Sequence, residues 1–210
     1  MSLQLGQVAP NFTADTTAGQ ITFHDFAKGQ WKVLFSHPKD FTPICTTEFA
    51  QFTRRSKEFE KRNAQLIGLS VDSVESHEGW KKDIQDVAGG TEVPFPIIAD
   101  PDLAIAKEYG MFHPEADALV TVRSVFLIDP NNKARVILTY PPSIGRNVDE
   151  ILRSLDALQQ SDKQGVSIPV DWQPGDKVVV SPKLSDADVE AKYPGQVTKV
   201  KDYLRFVPAA

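Results

Sequence analysis

The sequence contains one cysteine, Cys45, and it lies in the segment Pro38-Lys-Asp-Phe-Thr-Pro-Ile-Cys45. Thr42 is a favourable N-cap, and Pro43 suits the first position of a helix, where a backbone N–H has no partner to lose. The pattern therefore places Cys45 in the first helical turn, where the amides and the helix dipole favour a thiolate over a thiol. A lone buried cysteine is more often a small apolar side chain. The helix-start pattern favours a reactive nucleophile here.

Three further residues supply groups that cleavage of an O–O bond needs. Arg123 begins an apolar strand pattern, and its guanidinium can pair with a thiolate or donate to a substrate oxygen, although the residues alone favour an ordinary salt bridge for this arginine. The Thr42 hydroxyl faces the same side of the helical turn as Cys45, so it can accept from one peroxide oxygen while Arg123 and backbone amides donate to the other. Pro38 shapes the loop and shields the pocket from water. An ionised sulfur with donors for the leaving oxygen suits attack on a peroxide.

Strands and helices alternate along the chain and would position these residues around one sheet. Compact apolar runs predict strands, and apolar residues spaced three or four apart predict helices. The predicted strands are short segments around Phe12 and at 21–23, then 32–36, 66–71, 94–99, 124–128 and 134–138; the predicted helices are 42–61, 74–85, a short one opened by Asp100-Pro101, and 147–159. This order predicts an α/β, thioredoxin-like fold: a mixed, mostly parallel sheet flanked by helices, with one antiparallel hairpin.

The character of the sequence changes near residue 161. Residues 161–165 are polar, and four prolines then recur through a stretch with one clear strand pattern at 177–180. A segment of about 45 residues is small for a core of its own. We therefore expect a main thioredoxin-like domain at 1–160 and a small C-terminal domain at 161–210, which packs on the main domain or on a second subunit.

Composition excludes several classes of partner. The formal net charge is −5, which gives no electrostatic reason to bind nucleic acid or an anionic membrane. No apolar run approaches the ~18–20 residues that a membrane span needs. One cysteine cannot form an intramolecular disulfide, and a free thiol persists best in a reducing compartment. Together with an N-terminus that lacks a targeting pattern, these features predict a cytoplasmic protein.

The spacing Pro38-x-x-x-Thr42-x-x-Cys45, with a distant Arg123, resembles the active-site pattern of peroxiredoxins. The block from Phe35 to Glu48 resembles the one-cysteine, peroxiredoxin-6-type branch of that family. Four other segments also resemble this branch, so that the resemblance covers nearly the whole chain: Phe23-His-Asp-Phe26, Pro94-Phe-Pro-Ile-Ile98, Tyr140-Pro-x-x-x-Gly-Arg-Asn147 and Pro169-Val-Asp-Trp172.

The resemblance implies a thiol peroxidase in which Cys45 is oxidised to a sulfenic acid. It implies that three residues complete the pocket: Pro38, Thr42 and Arg123. It implies that three others support it: His37, Glu48 and Arg146. Without a second cysteine, an external thiol or other reductant must reduce the sulfenate. The resemblance also implies a homodimer that involves the C-terminal region, and it leaves a ring of dimers open. No cofactor is expected, and the histidines show no spacing typical of a metal site.

Two other functions are alternatives to the peroxidase. Mammalian members of this branch are associated with phospholipid hydrolysis by a serine in a Gly-x-Ser-x-Gly-like context near a histidine. Here His24 matches, but Gln30 stands at the serine position, so we expect no serine-dependent lipase activity. The second alternative is an oligomeric holdase or redox sensor, which would depend on exposed apolar surface. Replacement of Cys45 by serine separates it from the peroxidase, because only the peroxidase needs the thiol in turnover.

Overall fold

The computed structural model describes residues 2–112 and 120–210. His113, one of the four histidines of the sequence, lies outside the described residues. The chain divides into two compact units, Met1–Val148 and Asp149–Ala210. No helix among the described residues is long and apolar enough to cross a membrane.

The N-terminal unit contains a seven-stranded sheet with the strand order β2-β1-β5-β4-β3-β6-β7. Strands β3, β4 and β5 run parallel in its centre, and the other neighbours pair antiparallel. The mixed α/β fold predicted from the sequence is confirmed, including the antiparallel β6–β7 hairpin. The strands are β1 Thr13–Thr16, β2 Gly19–Thr22, β3 Trp31–Ser36, β4 Ala64–Ser70, β5 Ile97–Ala99, β6 Arg123–Ile128 and β7 Ala134–Tyr140.

Three helices lie in this unit: α1 Pro43–Glu60, α2 Val74–Val87 and α3 Ala104–Tyr109. The first two match the predicted helices closely. The third begins later than predicted, because residue 103 adopts a left-handed conformation and delays the first turn. Asp100 nevertheless stabilises the start of α3, because its carboxylate accepts hydrogen bonds from the amides of Ile105 and Ala106 at 3.2 and 2.8 Å.

Helix α1 is fixed against the sheet by the aromatic face that the sequence predicts. Phe49, Phe52 and Phe59 are all fully buried, and Phe52 stacks on Phe35 of β3 with 4.3 Å between ring centroids. Gly68 of β4 leaves room for the Phe49 ring, because a Cβ at residue 68 would lie 2.9 Å from it. The close approach of β4 to α1 therefore fixes the position of α1, which carries Cys45.

The C-terminal unit contains more strands than the sequence indicates. Its three-stranded antiparallel sheet has the order β8-β10-β9, and only β8 was predicted. A small apolar cluster lies inside the unit and includes Trp172, Val178 and Val207. The elements are α4 Val148–Gln164, β8 Val178–Val179, α5 Asp186–Lys192, β9 Thr198–Lys201 and β10 Leu204–Val207. Helix α4 continues five residues past its predicted end, beyond the expected domain boundary at 160.

Candidate active site

The single cysteine lies at the third position of α1, and its side chain is fully buried. Thr42 occupies the N-cap with extended backbone angles (φ −116°, ψ 148°), as the sequence predicts. Its side chain makes no capping hydrogen bond; the hydroxyl instead donates to the Lys39 carbonyl at 2.9 Å. Since a hydroxyl has one proton, the Thr42 oxygen can act towards a substrate only as an acceptor. Pro38 is half-buried in the loop between β3 and α1.

Arg123, the first residue of β6, directs its guanidinium to the cysteine. Its Nη1 lies 3.3 Å from Cys45 Sγ and 2.6 Å from Glu48 Oε2. The Nε and Nη2 atoms both donate to the Pro142 carbonyl, at 3.0 and 2.8 Å. The side chain is 3% exposed. All three nitrogens are therefore engaged, and the guanidinium has a fixed orientation next to the sulfur.

Glu48 lies one helical turn after Cys45 and joins Arg123 to Arg146. The Glu48 carboxylate accepts from Arg146 Nε and Nη2 at 2.8 and 2.7 Å and from the Arg146 amide at 2.7 Å. Burial alone would raise the pKa of Glu48, but the charge and hydrogen bonds of Arg146, with the charge of Arg123, outweigh it and hold that pKa below its ordinary value. Two guanidinium groups thus face one carboxylate, which leaves one positive charge in excess near Sγ.

His37 is fully buried and hydrogen-bonds to Asp40. Its Nε2 contacts Asp40 Oδ1 at 2.7 Å, and its ring packs on Trp80 and Phe49 at centroid distances of 4.9 and 4.6 Å. Within the described part of the chain its Nδ1 has no hydrogen-bond partner. Burial lowers the pKa of His37, and this effect outweighs the opposing hydrogen bond and charge of Asp40, so the ring is neutral near pH 7. The structure therefore brings Arg123 and Glu48 to Cys45 and ties His37 to Asp40.

Sequence reasoning missed the group around Asp40. Asp40 Oδ2 accepts from Ser76 Oγ and contacts His77 Nδ1, both at 2.8 Å. The ligand-type atoms of His37, Asp40 and His77 lie within 4.8 Å of one another, a composition that can hold a divalent metal. As they stand, these atoms hydrogen-bond to each other. The spacing His37-x-x-Asp40 was a local signal, but the contribution of His77 depends on how α2 packs.

The residues considered for lipid hydrolysis are engaged elsewhere. Gln30 donates through Nε2 to Asn63 Oδ1 at 2.9 Å, and His24 Nε2 contacts the Ala9 carbonyl at 2.8 Å. Neither side chain offers the hydroxyl nucleophile that ester hydrolysis by a serine requires.

A surface cleft of about 630 Å³ opens beside the loop between β3 and α1. Thr42 belongs to its lining, which is mostly apolar, and Phe41 at its edge is 57% exposed. The lining residues are Phe41, Thr42, Pro43, Thr46, Thr47, Asp83, Asp86 and Val87. Thr42 is the residue that this cleft shares with the group around Cys45; Cys45 and Arg123 do not line it.

Two protein families match the chain. The AhpC/TSA family matches residues 5–137, and the C-terminal domain of 1-Cys peroxiredoxin matches residues 157–196. The mitochondrial peroxiredoxin PRX1 of Saccharomyces cerevisiae is 50% identical over 210 residues, which cover 97% of this chain and 80% of the yeast protein. Peroxiredoxin-6 of Homo sapiens is 46% identical over 218 residues, which cover 98% of this chain and 97% of the human protein.

Solved structures agree with these relatives. A structure of a yeast mitochondrial 1-Cys peroxiredoxin, described in terms of thiol resolution through the glutathione/thioredoxin systems, superposes with a TM-score of 0.93 at 49% identity. The superposition covers 99% of this chain and 100% of that chain.

Proposed function

This chain belongs to the one-cysteine branch of the peroxiredoxin family and is a thiol-dependent peroxidase, and on that basis we propose that Cys45 is its peroxidatic residue. The contact of Arg123 Nη1 with Cys45 Sγ at 3.3 Å carries this assignment. A charged donor at that distance, with the first-turn amides of α1, supports an anionic sulfur.

The reaction then follows from the groups around the sulfur. The Cys45 thiolate attacks one oxygen of a hydroperoxide, the O–O bond breaks, and the sulfur becomes a sulfenic acid. The other oxygen leaves with the electron pair of that bond and takes a proton to form water or an alcohol. Thr42 accepts a hydrogen bond from the peroxide, while Arg123 donates to the oxygen that gains charge.

The remaining site residues support this pair. Glu48 and Arg146 hold the guanidinium of Arg123 in place through their mutual hydrogen bonds. Pro38 shapes the loop and shields the pocket from water, and His37 fixes the loop through Asp40. The proposed substrates are hydrogen peroxide and organic hydroperoxides.

The reductant comes from outside the chain. A first thiol attacks the Cys45 sulfenic acid and releases water to leave a mixed disulfide, and a second thiol then displaces Cys45 as a thiolate. The glutathione/thioredoxin systems named for the yeast structure make a thiol donor of this class the first candidate.

We further propose a homodimer of chains with a main domain at 1–160 and a C-terminal domain at 161–210, located in the cytoplasm. The match of residues 157–196 to the C-terminal domain of 1-Cys peroxiredoxin supports the second domain. Exposed Val170 and Tyr203 in that region offer apolar surface for a second copy. Light scattering measures the mass of the protein in solution. Cell fractionation tests the compartment; the alternative is the mitochondrion, because the yeast relative is named as mitochondrial.

The test of the function compares wild type with Cys45→Ser in peroxide-consumption assays with a panel of reductants. We expect turnover with at least one thiol donor in wild type and none in Cys45→Ser. Suppression of aggregation of a client protein is measured in parallel, because a holdase would retain it in both proteins. Equal peroxide consumption by the two proteins would reject Cys45 as the peroxidatic residue.

A further inference from the structure

Asp40 is held at both its side chain and its backbone. Its Oδ1 contacts His37 Nε2 at 2.7 Å, and its Oδ2 contacts His77 Nδ1 and Ser76 Oγ, each at 2.8 Å. Its amide donates to Asp72 Oδ2 at 2.9 Å. The residue is 4% exposed. Asp40 therefore connects the loop before α1 to the start of α2 and to the end of β4.

The hydrogen bonds in this group favour an ionised Asp40. Burial alone would raise the pKa of Asp40, but the hydrogen bonds from His37 and His77 outweigh it and hold that pKa well below its ordinary value. His77 Nε2 faces the Ile98 carbonyl at 3.1 Å while Nδ1 faces the carboxylate. His77 thus connects Asp40 to the backbone of β5 through its two ring nitrogens.

The residue next to Asp40 has a strained backbone. Phe41 has φ 53°, in the left-handed region that a bulky side chain rarely adopts. The residue is 57% exposed, so burial of its side chain does not explain the conformation. Strain of this kind persists only where the surroundings determine it. Phe41 lies between Asp40, which is clamped, and Thr42, the N-cap of α1.

We propose that Asp40 is a positioning residue for peroxide reduction. Its carboxylate, fixed by His37, Ser76 and His77, holds Phe41 in the left-handed conformation and so sets Thr42 at the start of α1. The inference rests on the proposed roles of Cys45 and Thr42. It adds a requirement beyond the thiol–arginine contact: a buried, hydrogen-bonded carboxylate maintains the acceptor side of the peroxide site.

The test separates peroxide chemistry from thiol reactivity. In Asp40→Asn the second-order rate of Cys45 oxidation by hydrogen peroxide should fall roughly 10- to 100-fold, since misplacement of a group in the site costs about that much. Alkylation of Cys45 by iodoacetamide needs the sulfur but no acceptor at Thr42, so its rate should change by less than about threefold. Mass spectrometry of the quenched protein measures both rates.

Asp100→Asn is the matched control, because Asp100 is also a buried carboxylate that accepts two hydrogen bonds, from amides of α3. It should leave the ratio of the two rates unchanged even where it lowers stability. Where Asp40→Asn fails to fold, Ser76→Ala removes one bond to the same carboxylate and should shift the ratio in the same direction, by a few-fold.

Rescue tests the strain directly. Glycine adopts the left-handed conformation without a steric cost, so Phe41→Gly in the Asp40→Asn background should recover about tenfold in peroxide rate, the size of effect expected from relief of one left-handed residue. In the wild-type background Phe41→Gly should change the rate by less than about threefold.

Equal loss of both rates in Asp40→Asn, or no loss of either, would overturn the positioning role. That outcome leaves the assignment of Cys45 intact, because Cys45→Ser decides the assignment separately. Absence of rescue by Phe41→Gly would remove Phe41 from the proposed path between Asp40 and Thr42.

Discussion

Replacement of Arg123 by alanine should slow the reaction with peroxide by two to three orders of magnitude while the protein stays folded. The change removes the donor 3.3 Å from Cys45 Sγ, in a position where 3% of the side chain is exposed. Loss of one preorganised donor to developing charge costs about 10²- to 10³-fold in rate, or about 2.7–4 kcal/mol. Glu48 loses one bond to Arg123 but keeps its bidentate pair with Arg146, so the cost in free energy of unfolding is about 1.5–3 kcal/mol.

The assay is single-turnover oxidation of the reduced protein, with the rate measured against peroxide concentration and stability measured by urea unfolding. Arg123→Lys sharpens the test, because lysine keeps the positive charge but loses the planar fork that binds Glu48, Pro142 and the sulfur together. We expect the lysine variant to lose at least tenfold in rate. Iodoacetamide alkylation should fall less than peroxide oxidation in both variants.

Arg135→Ala is the matched control, since Arg135 pairs with Asp129 at 3.3 Å and packs over the Trp31 ring. Its peroxide rate should remain within about twofold of wild type. A wild-type rate in Arg123→Lys would show that charge alone suffices and that directed donation is the wrong explanation. Equal loss of peroxide and alkylation rates in Arg123→Ala would restrict the role of Arg123 to ionisation of the thiol.

Two further predictions concern stability. Gly68→Ala places a Cβ 2.9 Å from the Phe49 ring and should cost about 1–3 kcal/mol by overpacking, seen as a lower Tm in calorimetry; an unchanged Tm would show that α1 shifts without cost. Stability should fall on acidification, because the lowered folded-state pKa of Glu48 gives stability that is present above its ordinary value of 4.5 and lost as the pH falls through the folded value. His37 also lowers the stability on acidification below pH 6.5. Its folded-state pKa is lowered, so the ring gains a proton at a higher pH in the unfolded chain than in the folded protein. Urea unfolding from pH 7 to pH 3 measures this slope, which Glu48→Gln should flatten below pH 4.5; an identical slope in that variant would contradict the assignment.

The local elements of the site were predictable because their causes are local. Thr42 and Pro43 mark the start of α1 in the sequence, and the spacing of its phenylalanines defines the buried face. The contact between Arg123 and Cys45 joins residues 78 positions apart. It depends on antiparallel pairing of β3 with β6, in which Phe35 lies opposite Val125. No local pattern encodes that pairing, so resemblance to the family, rather than residue spacing, selected Arg123.

The features that the sequence did not predict have tertiary causes. The bond between Asp40 and His77 joins residues 37 positions apart and exists only because α2 packs beside the loop. Strand β9 is exposed along its whole length and carries two lysines, so it lacks the alternation that marks a half-buried strand. Its pairing with β10 is set by the fold of the C-terminal unit rather than by its own composition.

The position of Glu48 is at first sight opposed to its role, because a carboxylate one turn from Cys45 would repel an anionic sulfur. Its oxygens, however, accept four hydrogen bonds from Arg123 and Arg146, so the two guanidinium groups neutralise its negative charge. Without it, two buried cations would repel each other, and neither would stay beside the sulfur. Glu48 thus lets Arg123 approach Cys45 and still leaves one positive charge uncompensated. That uncompensated charge lies beside Sγ, where the proposed reaction develops negative charge on the leaving peroxide oxygen.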